Sequence, residues 1–323
     1  MSAAPILRLQ DLVRDYRGGL LGRGEAHRAL DGVSLELEPG TILGIVGESG
    51  SGKTTLARIA AALDRPTSGK VYLAGEDILA LTPRELVRRR ARFQMVFQDP
   101  QGSLNPRRRI GWSVAEPLDL LRPRLDRPER EARVAQMLEA VGLRPADAAR
   151  APHEFSGGQR QRIAVARALV TQPDLVIADE AVSALDLSVQ AQILNLVLDL
   201  RERFGTAFLF ITHNLSVVDA ICDRVGVMYQ GRIVESGGAD AVFRHPLHPY
   251  TRLLLDAEPS LDKPVKKRRR VSLPFPDEPV DWAGCAFRSR CPLATERCRR
   301  ETPVLRALGD GGRLAACHHA EAM

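Results

Sequence analysis

Gly47-Glu48-Ser49-Gly50-Ser51-Gly52-Lys53-Thr54 decides how this chain is read. It satisfies G-x-x-x-x-G-K-[ST] at every specified position. Just before it, Ile42-Leu43-Gly44-Ile45-Val46 is a continuous apolar run, as expected of a strand buried on both faces. Just after it, a helix is predicted from about Lys53 through Ala62. The glycines let backbone N–H groups curl around phosphates, and the helix N-terminus adds partial positive charge. In this cradle Lys53 reaches the β- and γ-phosphates of a nucleotide. Thr54 supplies an oxygen to Mg²⁺, and Thr55 assists at the α-phosphate.

Working outward, Leu175-Val176-Ile177-Ala178-Asp179-Glu180 is an apolar strand ending in two carboxylates. Asp179 is placed to hold the Mg²⁺ shell. Glu180 points another way, towards an attacking water that a carboxylate there can orient and polarise. Gln98 ends the strand candidate Phe93–Phe97, where an amide can contact both Mg²⁺ and that water. His213 follows the apolar run Phe208–Ile211, where an imidazole can bond the γ-phosphate and hold Glu180 in place. Taken alone, the cradle says only P-loop NTPase, a class that includes kinases, GTPases, helicases and motors.

Strands and helices alternate, which implies an α/β core with parallel pairing. Residues 1 to about 80 read as β-rich, and about 100–170 as a helical subdomain. There Pro128 suits a first helical turn, and Val134, Met137, Leu138 and Val141 fall at i, i+3, i+4 and i+7 before Gly142. Val189, Ile193, Leu196, Val197 and Leu200 mark another amphipathic helix, ended by Gly205. Prolines 259, 264, 274, 276 and 279 punctuate a segment without helical period, read as a linker over roughly 259–281. Residues 282–323 then read as a small Cys-rich module. Its core candidates are few: Phe287, Leu293, Val304, Leu305 and Leu308.

No apolar run approaches the 18 or so residues of a membrane helix. Arg8 and Asp11 interrupt the N-terminal apolar patch, so no signal peptide is expected and the chain is expected to stay in the cytosol. The net charge of +6 is spread out except for the runs at 88–90, 107–109 and 266–270. No aromatic residues are interleaved there to stack on bases, so solvated surface is favoured over nucleic-acid binding. Cys222 lies alone in an apolar setting and reads as core. Cys285, Cys291, Cys298 and Cys317 crowd the tail, and without an export signal disulfides are the weaker explanation. Four thiolates suit Zn²⁺ or an iron–sulfur cluster, with His318 and His319 as substitute ligands. The plainer alternative is four reduced structural cysteines.

Phe155-Ser156-Gly157-Gly158-Gln159-Arg160-Gln161-Arg162 resembles the ABC signature and precedes the Asp179-Glu180 strand by a short helix. Ser183-Ala184-Leu185-Asp186 looks like the D-loop, Gln98 like the Q-loop and His213 like the H-loop. Tyr16 stands where this family stacks an aromatic ring on adenine. The resemblance spans about residues 6–257. It implies a RecA-like core with an antiparallel β subdomain and a helical signature subdomain, together forming a nucleotide-binding domain over 1–258. It also implies that Ser156, Gly157, Gly158 and Gln159 meet the γ-phosphate of an ATP held by another subunit, closing a sandwich to which Asp186 contributes. Phe155 stands where Leu is commonest and Ala181 where Pro is common, and neither disables the site.

Gln98–Pro106, His245–Thr251 and the tail from Gly284 resemble the oligopeptide/dipeptide importer branch. That resemblance implies an ATPase paired with a second, related one, two membrane permeases and, indirectly, a periplasmic substrate-binding protein. It places the chain peripherally on the cytoplasmic face of a bacterial inner membrane. Relatives also move nickel, glutathione or sugars. The same resemblance implies a [4Fe–4S] cluster on the tail cysteines rather than Zn²⁺. An ABC ATPase acting on nucleic acid or ribosomes would need a coiled-coil insertion, a zinc hook or a second cassette, none of which is legible. A decayed regulatory module is opposed by Glu180 and His213.

Overall fold

The computed structural model describes residues 4–17, 26–183, 185–257, 283–309 and 312–323. The strands are β1 (Leu7–Arg17), β2 (Ala26–Leu37), β3 (Ile42–Val46), β4 (Ser68–Leu73), β5 (Glu76–Asp77) and β6 (Phe93–Val96). They continue as β7 (Leu175–Asp179), β8 (Ala207–Ile211), β9 (Arg224–Tyr229), β10 (Arg232–Gly238), β11 (Arg306–Leu308) and β12 (Arg313–Ala315). The helices are α1 (Lys53–Ala60), α2 (Pro83–Arg89), α3 (Pro100–Ser103), α4 (Ile110–Ala115), α5 (Arg127–Ala140) and α6 (Gly157–Leu169). They are followed by α7 (Leu187–Phe204), α8 (Leu215–Ile221), α9 (Ala239–Arg244), α10 (Pro249–Ala257) and α11 (Glu296–Arg300).

Two sheets organise them. An antiparallel sheet runs in the order β2-β1-β4-β5, and a mixed sheet in the order β11-β12-β10-β9-β3-β8-β7-β6. Within the mixed sheet β9, β3, β8, β7 and β6 are parallel, while β10, β12 and β11 continue it antiparallel. β3, β7 and β8 are buried along their whole length because both faces are covered. Leu43, Ile45, Leu175, Ile177, Leu209 and Ile211 face a core shared with α1 and the small sheet. Ile42, Val46, Val176, Ala178, Phe208 and Phe210 face a second core packed by the helices of 100–170 and by α7 and α8. This is the α/β architecture expected from the alternating apolar runs.

Local signals set the helix ends. Asp126 caps α5 in a reciprocal box with Glu129, and Pro128 sits in the first turn. Val134, Met137 and Leu138 are its buried face. Gly142 and Gly205 close α5 and α7 with left-handed φ of 73° and 66°.

The tail departs from the expectation of a separate Cys-rich module. β12 pairs with β10 through Glu235↔Ala315 and Ser236↔Leu314, so the tail adds strands to the main sheet. Phe287 is 1% exposed and belongs to the helical-side core rather than to a core of its own. It meets Tyr229 edge-on at 5.3 Å and Tyr250 at 5.5 Å between ring centroids. Leu293 and Val304, two of the expected module core, stay exposed. Glu235, fully buried, accepts from Leu247 N (2.8 Å), His248 N (3.0 Å) and Arg313 Nη2 (2.8 Å), tying β10, the 245–249 turn and β12 together. Burial lowers the His248 pKa to about 4, so this imidazole is neutral, and its Nδ1 accepts from Tyr250 N. The linker read over 259–281, including the basic run 266–270, lies outside the described residues.

If Phe287 is a core residue of the whole domain, Phe287→Ala should cost about 3–5 kcal/mol. Chemical denaturation of the full chain, followed through the ATPase core, should show the transition at lower denaturant. An unchanged transition would mean that the tail packs independently.

Candidate nucleotide site

The cradle lies between β3 and α1. Gly47 has φ 156°, and a Cβ there would come within 2.1 Å of the Met228 carbonyl oxygen, so only glycine fits. Gly52, the residue before α1, has φ 103°, and its Cβ would meet the Ala29 carbonyl at 2.4 Å. Lys53 is buried, and its Nζ donates to the carbonyls of Gly47 (2.7 Å) and Glu48 (2.8 Å) and lies 3.5 Å from Ser51 Oγ. Burial lowers the Lys53 pKa, while Glu180, Asp179 and Glu48 push it back up. Ser49, Gly50 and Thr54 are exposed at the mouth of the loop, and Thr55 is half-buried behind them.

Around this loop the strand ends converge. Thr54 Oγ1 is 3.5 Å from Asp179 Oδ1 at the end of β7, a spacing that lets the hydroxyl and the carboxylate share one cation. Burial, then the neighbouring Glu180, raises the Asp179 pKa. Glu180 has φ 48°, a left-handed backbone that costs a non-glycine residue about 1–3 kcal/mol. Its N–H still donates to Ile211 O of β8 at 2.8 Å, which holds the turn. The Glu180 carboxylate is gripped at both oxygens. Gln98 Nε2 donates to Oε2 at 2.8 Å, and His213 Nδ1 lies 3.3 Å from Oε1. Gln98, Lys53, Asp179, Glu180 and His213 therefore form one constellation. It can bind phosphates, hold a divalent cation and aim a carboxylate at water.

Other expected site residues stand apart from that constellation. Tyr16 is fixed by its hydroxyl donating to Asp64 Oδ2 (2.9 Å) and by the Arg14 guanidinium, 4.5 Å from the ring centroid. Ser156 is the N-cap of α6, accepting from Gln159 N at 3.3 Å while Gln159 Oε1 accepts from Ser156 N at 3.0 Å. That arrangement leaves the Ser156 hydroxyl proton available, and Gly157 opens a helix N-terminus with exposed N–H groups. Among the described residues no hydrogen bond joins Ser156, Gly157, Gly158, Gln159 or Asp186 to the cradle, so the signature faces solvent rather than its own loop.

Two residues at the cradle escaped sequence reading. Tyr250 Oη accepts from Glu48 N at 2.9 Å, and Arg290 forms a two-pronged ion pair with the Glu48 carboxylate. Tyr250 lies in the His245–Thr251 stretch that marked the importer branch, but nothing local announced its partner.

Cys222 packs in the core, with its thiol pushed up by burial. The four tail cysteines are free thiols. Cys285 N donates to Cys298 O at 2.8 Å, and Cys298 Sγ is 3.7 Å from His319 Nε2. His319 N donates to Cys317 Sγ at 3.4 Å. Burial, then the neighbouring Cys298, Cys317 and Cys291, pushes the Cys285 thiol up to about 11, a hydrogen bond from the Phe287 backbone offsetting part of this. Among the described residues, however, no group of three or more His, Cys, Asp or Glu side chains could hold a metal ion. Neither the [4Fe–4S] cluster expected on these cysteines nor the Zn²⁺ alternative finds a ready-made metal-binding group here.

Comparison with known proteins gives a consistent picture. Residues 30–183 match the ABC transporter family, and residues 234–298 match the oligopeptide/dipeptide transporter C-terminal region. The chain is 51% identical to the di/tripeptide transport ATP-binding protein DppF of Pseudomonas aeruginosa, with 98% of each chain covered. It is 46% identical to the dipeptide transport ATP-binding protein DppF of Escherichia coli, covering 97% of this chain and 94% of that one. Among solved structures it resembles a dimeric post-hydrolysis state of the ATP-binding cassette MJ0796 bound to ADP and phosphate. The TM-score is 0.65 and the identity 31%, over 72% of this chain and 98% of that one. It also resembles CbiO1 of Clostridium perfringens, part of a CbiONQ transporter complex, with TM-score 0.66 and 27% identity over 75% and 92% of the two chains.

The grip on Glu180 generates a specific expectation. Glu180→Gln keeps the shape and the bonding partners but removes the charge that polarises water. Turnover should fall by about two orders of magnitude or more while Mg–ATP still binds. Steady-state hydrolysis and equilibrium nucleotide binding check both halves, and near-normal hydrolysis would sink the assignment.

Proposed function

This chain belongs to the ATP-binding subunits of ABC transporters, and from that premise we propose that it energises an importer of dipeptides or oligopeptides. The observation that carries the chemistry is the Glu180 carboxylate, held between Gln98 and His213 beside the phosphate cradle. The cargo rests on the nearly full-length likeness to di- and tripeptide transport ATP-binding proteins and on the matching C-terminal region.

In this reading Gly47–Thr54 cradles the phosphates of ATP, with Lys53 leaving its two carbonyl partners for the β- and γ-phosphates. Thr55 supports the α-phosphate, and Tyr16 stacks on adenine. Mg²⁺ is held by Thr54, Gln98 and Asp179. Glu180 acts as general base on the attacking water, with His213 orienting it and bonding the γ-phosphate. Ser156, Gly157, Gly158 and Gln159, with Asp186, complete the site of a second ATPase subunit, a related chain in a heterodimer. The solvent-facing α6 N-terminus supports this, as does the dimeric state named for the MJ0796 structure. Closing and opening of this pair would drive two membrane permeases fed by a periplasmic binding protein. Among the described residues no helix is long and apolar enough to cross a membrane. The chain is accordingly read as a peripheral subunit on the cytoplasmic face of the inner membrane. We divide it at about residue 258 into nucleotide-binding domain and C-terminal region, with the helical subdomain over about 100–170.

The same reading assigns Cys285, Cys291, Cys298 and Cys317 to a [4Fe–4S] cluster. Their mutual electrostatic influence supports a common site. The backbone contact between Cys285 and Cys298, and the approach of Cys298 and Cys317 to His319, bring three of the four thiols into one neighbourhood. Bound there, a cluster would crosslink the tail.

Three measurements test these proposals. The chain, assembled with its permeases and partner ATPase in vesicles, should support ATP-dependent dipeptide uptake. Ser156→Arg should abolish uptake yet leave ATP binding to its own loop nearly unchanged; loss of that binding in a folded variant contradicts the composite site. Protein purified without oxygen should be brown and carry about four irons per chain. Stoichiometric zinc, or four freely titrating thiols without metal, would refute the cluster.

A further inference from the structure

Glu48 ties the phosphate loop to residues far along the chain. Glu48 is the only acid between Gly47 and Thr54. Its N–H donates to Tyr250 Oη at 2.9 Å, and its carbonyl accepts from Lys53 Nζ at 2.8 Å. Its carboxylate accepts from Arg290 Nη1 at 2.8 Å and from Nη2 at 2.7 Å. The Arg290 side chain is 8% exposed, against 40% for Glu48. Its guanidinium carbon lies 5.9 Å from the Tyr229 ring centroid and 5.7 Å from that of Phe287. Those two rings and Tyr250 pack against one another in the core, so the arginine is mounted on a rigid base.

A carboxylate on an anion-binding loop is a liability, because it repels the phosphates the loop must take up. A fixed guanidinium cancels that charge. Its planar fork also holds two oxygens at once, which fixes the orientation of the residue that carries them. With the N–H of the same residue held by Tyr250, the backbone at the entrance to the cradle is held from both its main chain and its side chain. Preorganising a loop in its bound conformation removes an ordering cost from binding.

We propose that Arg290 is a positioning residue for ATP: by clamping Glu48 it keeps the Gly47–Thr54 loop in its phosphate-binding shape and neutralises the loop's one acid. This rests on the reading of that loop as the ATP site, and it makes the tail a working part of that site. Arg290 acts through Glu48 and is not a catalytic residue.

The test compares Mg–ATP binding to the full chain, and steady-state hydrolysis by the assembled transporter, across Arg290 and Glu48 variants. Arg290→Ala should raise both the Kd and the KM for ATP about tenfold, with kcat within about twofold of wild type. Arg290→Lys, which keeps the charge but not the fork, should recover part of the loss, and Arg290→Gln should recover less. These two decide the matter if Arg290→Ala does not fold. In a Glu48→Gln background, removing Arg290 should cost less than about twofold, since the clamp has lost its charged partner. Three outcomes overturn the clamp: Arg290 variants that bind ATP as wild type does; a loss of kcat and thermal stability at unchanged Kd; or an equal penalty in both Glu48 backgrounds. A wild-type chain that bound no Mg–ATP would overturn the reading of the loop itself, and the clamp with it.

Discussion

Four parallel strands, β3, β8, β7 and β6, are hydrogen-bonded so that Ile45 pairs with Ile211, Ile211 with Asp179, and Ala178 with Val96. This register brings the carboxyl ends of the four strands to one level. Each strand delivers its functional groups at or just past its end: the phosphate loop, His213, Asp179 with Glu180, and Gln98. Open α/β sheets bind ligands at these ends because the chain turns there, leaving polar groups unspent. A one-residue slip in any ladder would turn a strand's alternate side chains into the opposite core and withdraw its terminal group. The two cores on either side of the sheet therefore hold the site in place as firmly as its own hydrogen bonds do.

Within that frame the site stores some cost. Glu180 pays for a left-handed backbone, and the close partners of buried Lys53 among the described residues are two carbonyls and a hydroxyl. Both features suit a polyanion with its cation, which would supply charge to Lys53 and a counter-charge to Asp179. Gln98 and His213 together hold both oxygens of the Glu180 carboxylate. Among the described residues no hydrogen bond joins the signature at the start of α6 to the cradle.

The C-terminal region is built into the same machine. β12 extends the main sheet, Phe287 fills the core beside Tyr229 and Tyr250, and Arg313 meets the fully buried Glu235. A buried ion pair contributes little net stability when desolvation is counted, but losing one partner is costly. Glu235 also accepts two backbone N–H groups, so it fixes where the 245–249 turn sits against β10. That turn presents Tyr250 to the phosphate loop.

The sequence by itself determined the parts of this protein whose signals are local. The buried strands at 42–46, 175–179 and 207–211 follow from uninterrupted apolar runs. The limits of α5 follow from Pro128 and Gly142, and the end of α7 from Gly205. The phosphate loop follows from its Gly-rich pattern between an apolar run and a helix, and the signature from its resemblance to that of the ABC family. His213 and Gln98 were legible only beside the other motifs, since a lone imidazole or amide at a strand end carries no signal of its own. Tertiary structure alone decided how the tail is used. β11 and β12 are three residues each, too short for a period to show. Phe287 looked like part of a thin separate core because its aromatic partners lie at least 37 residues earlier in the chain, at Tyr229, His248 and Tyr250. Arg290 reaches Glu48 across a separation of 242 residues, and such a pair is invisible to spacing or periodicity. Long-range pairs of this kind are selected by packing in three dimensions, and only the folded chain brings them together.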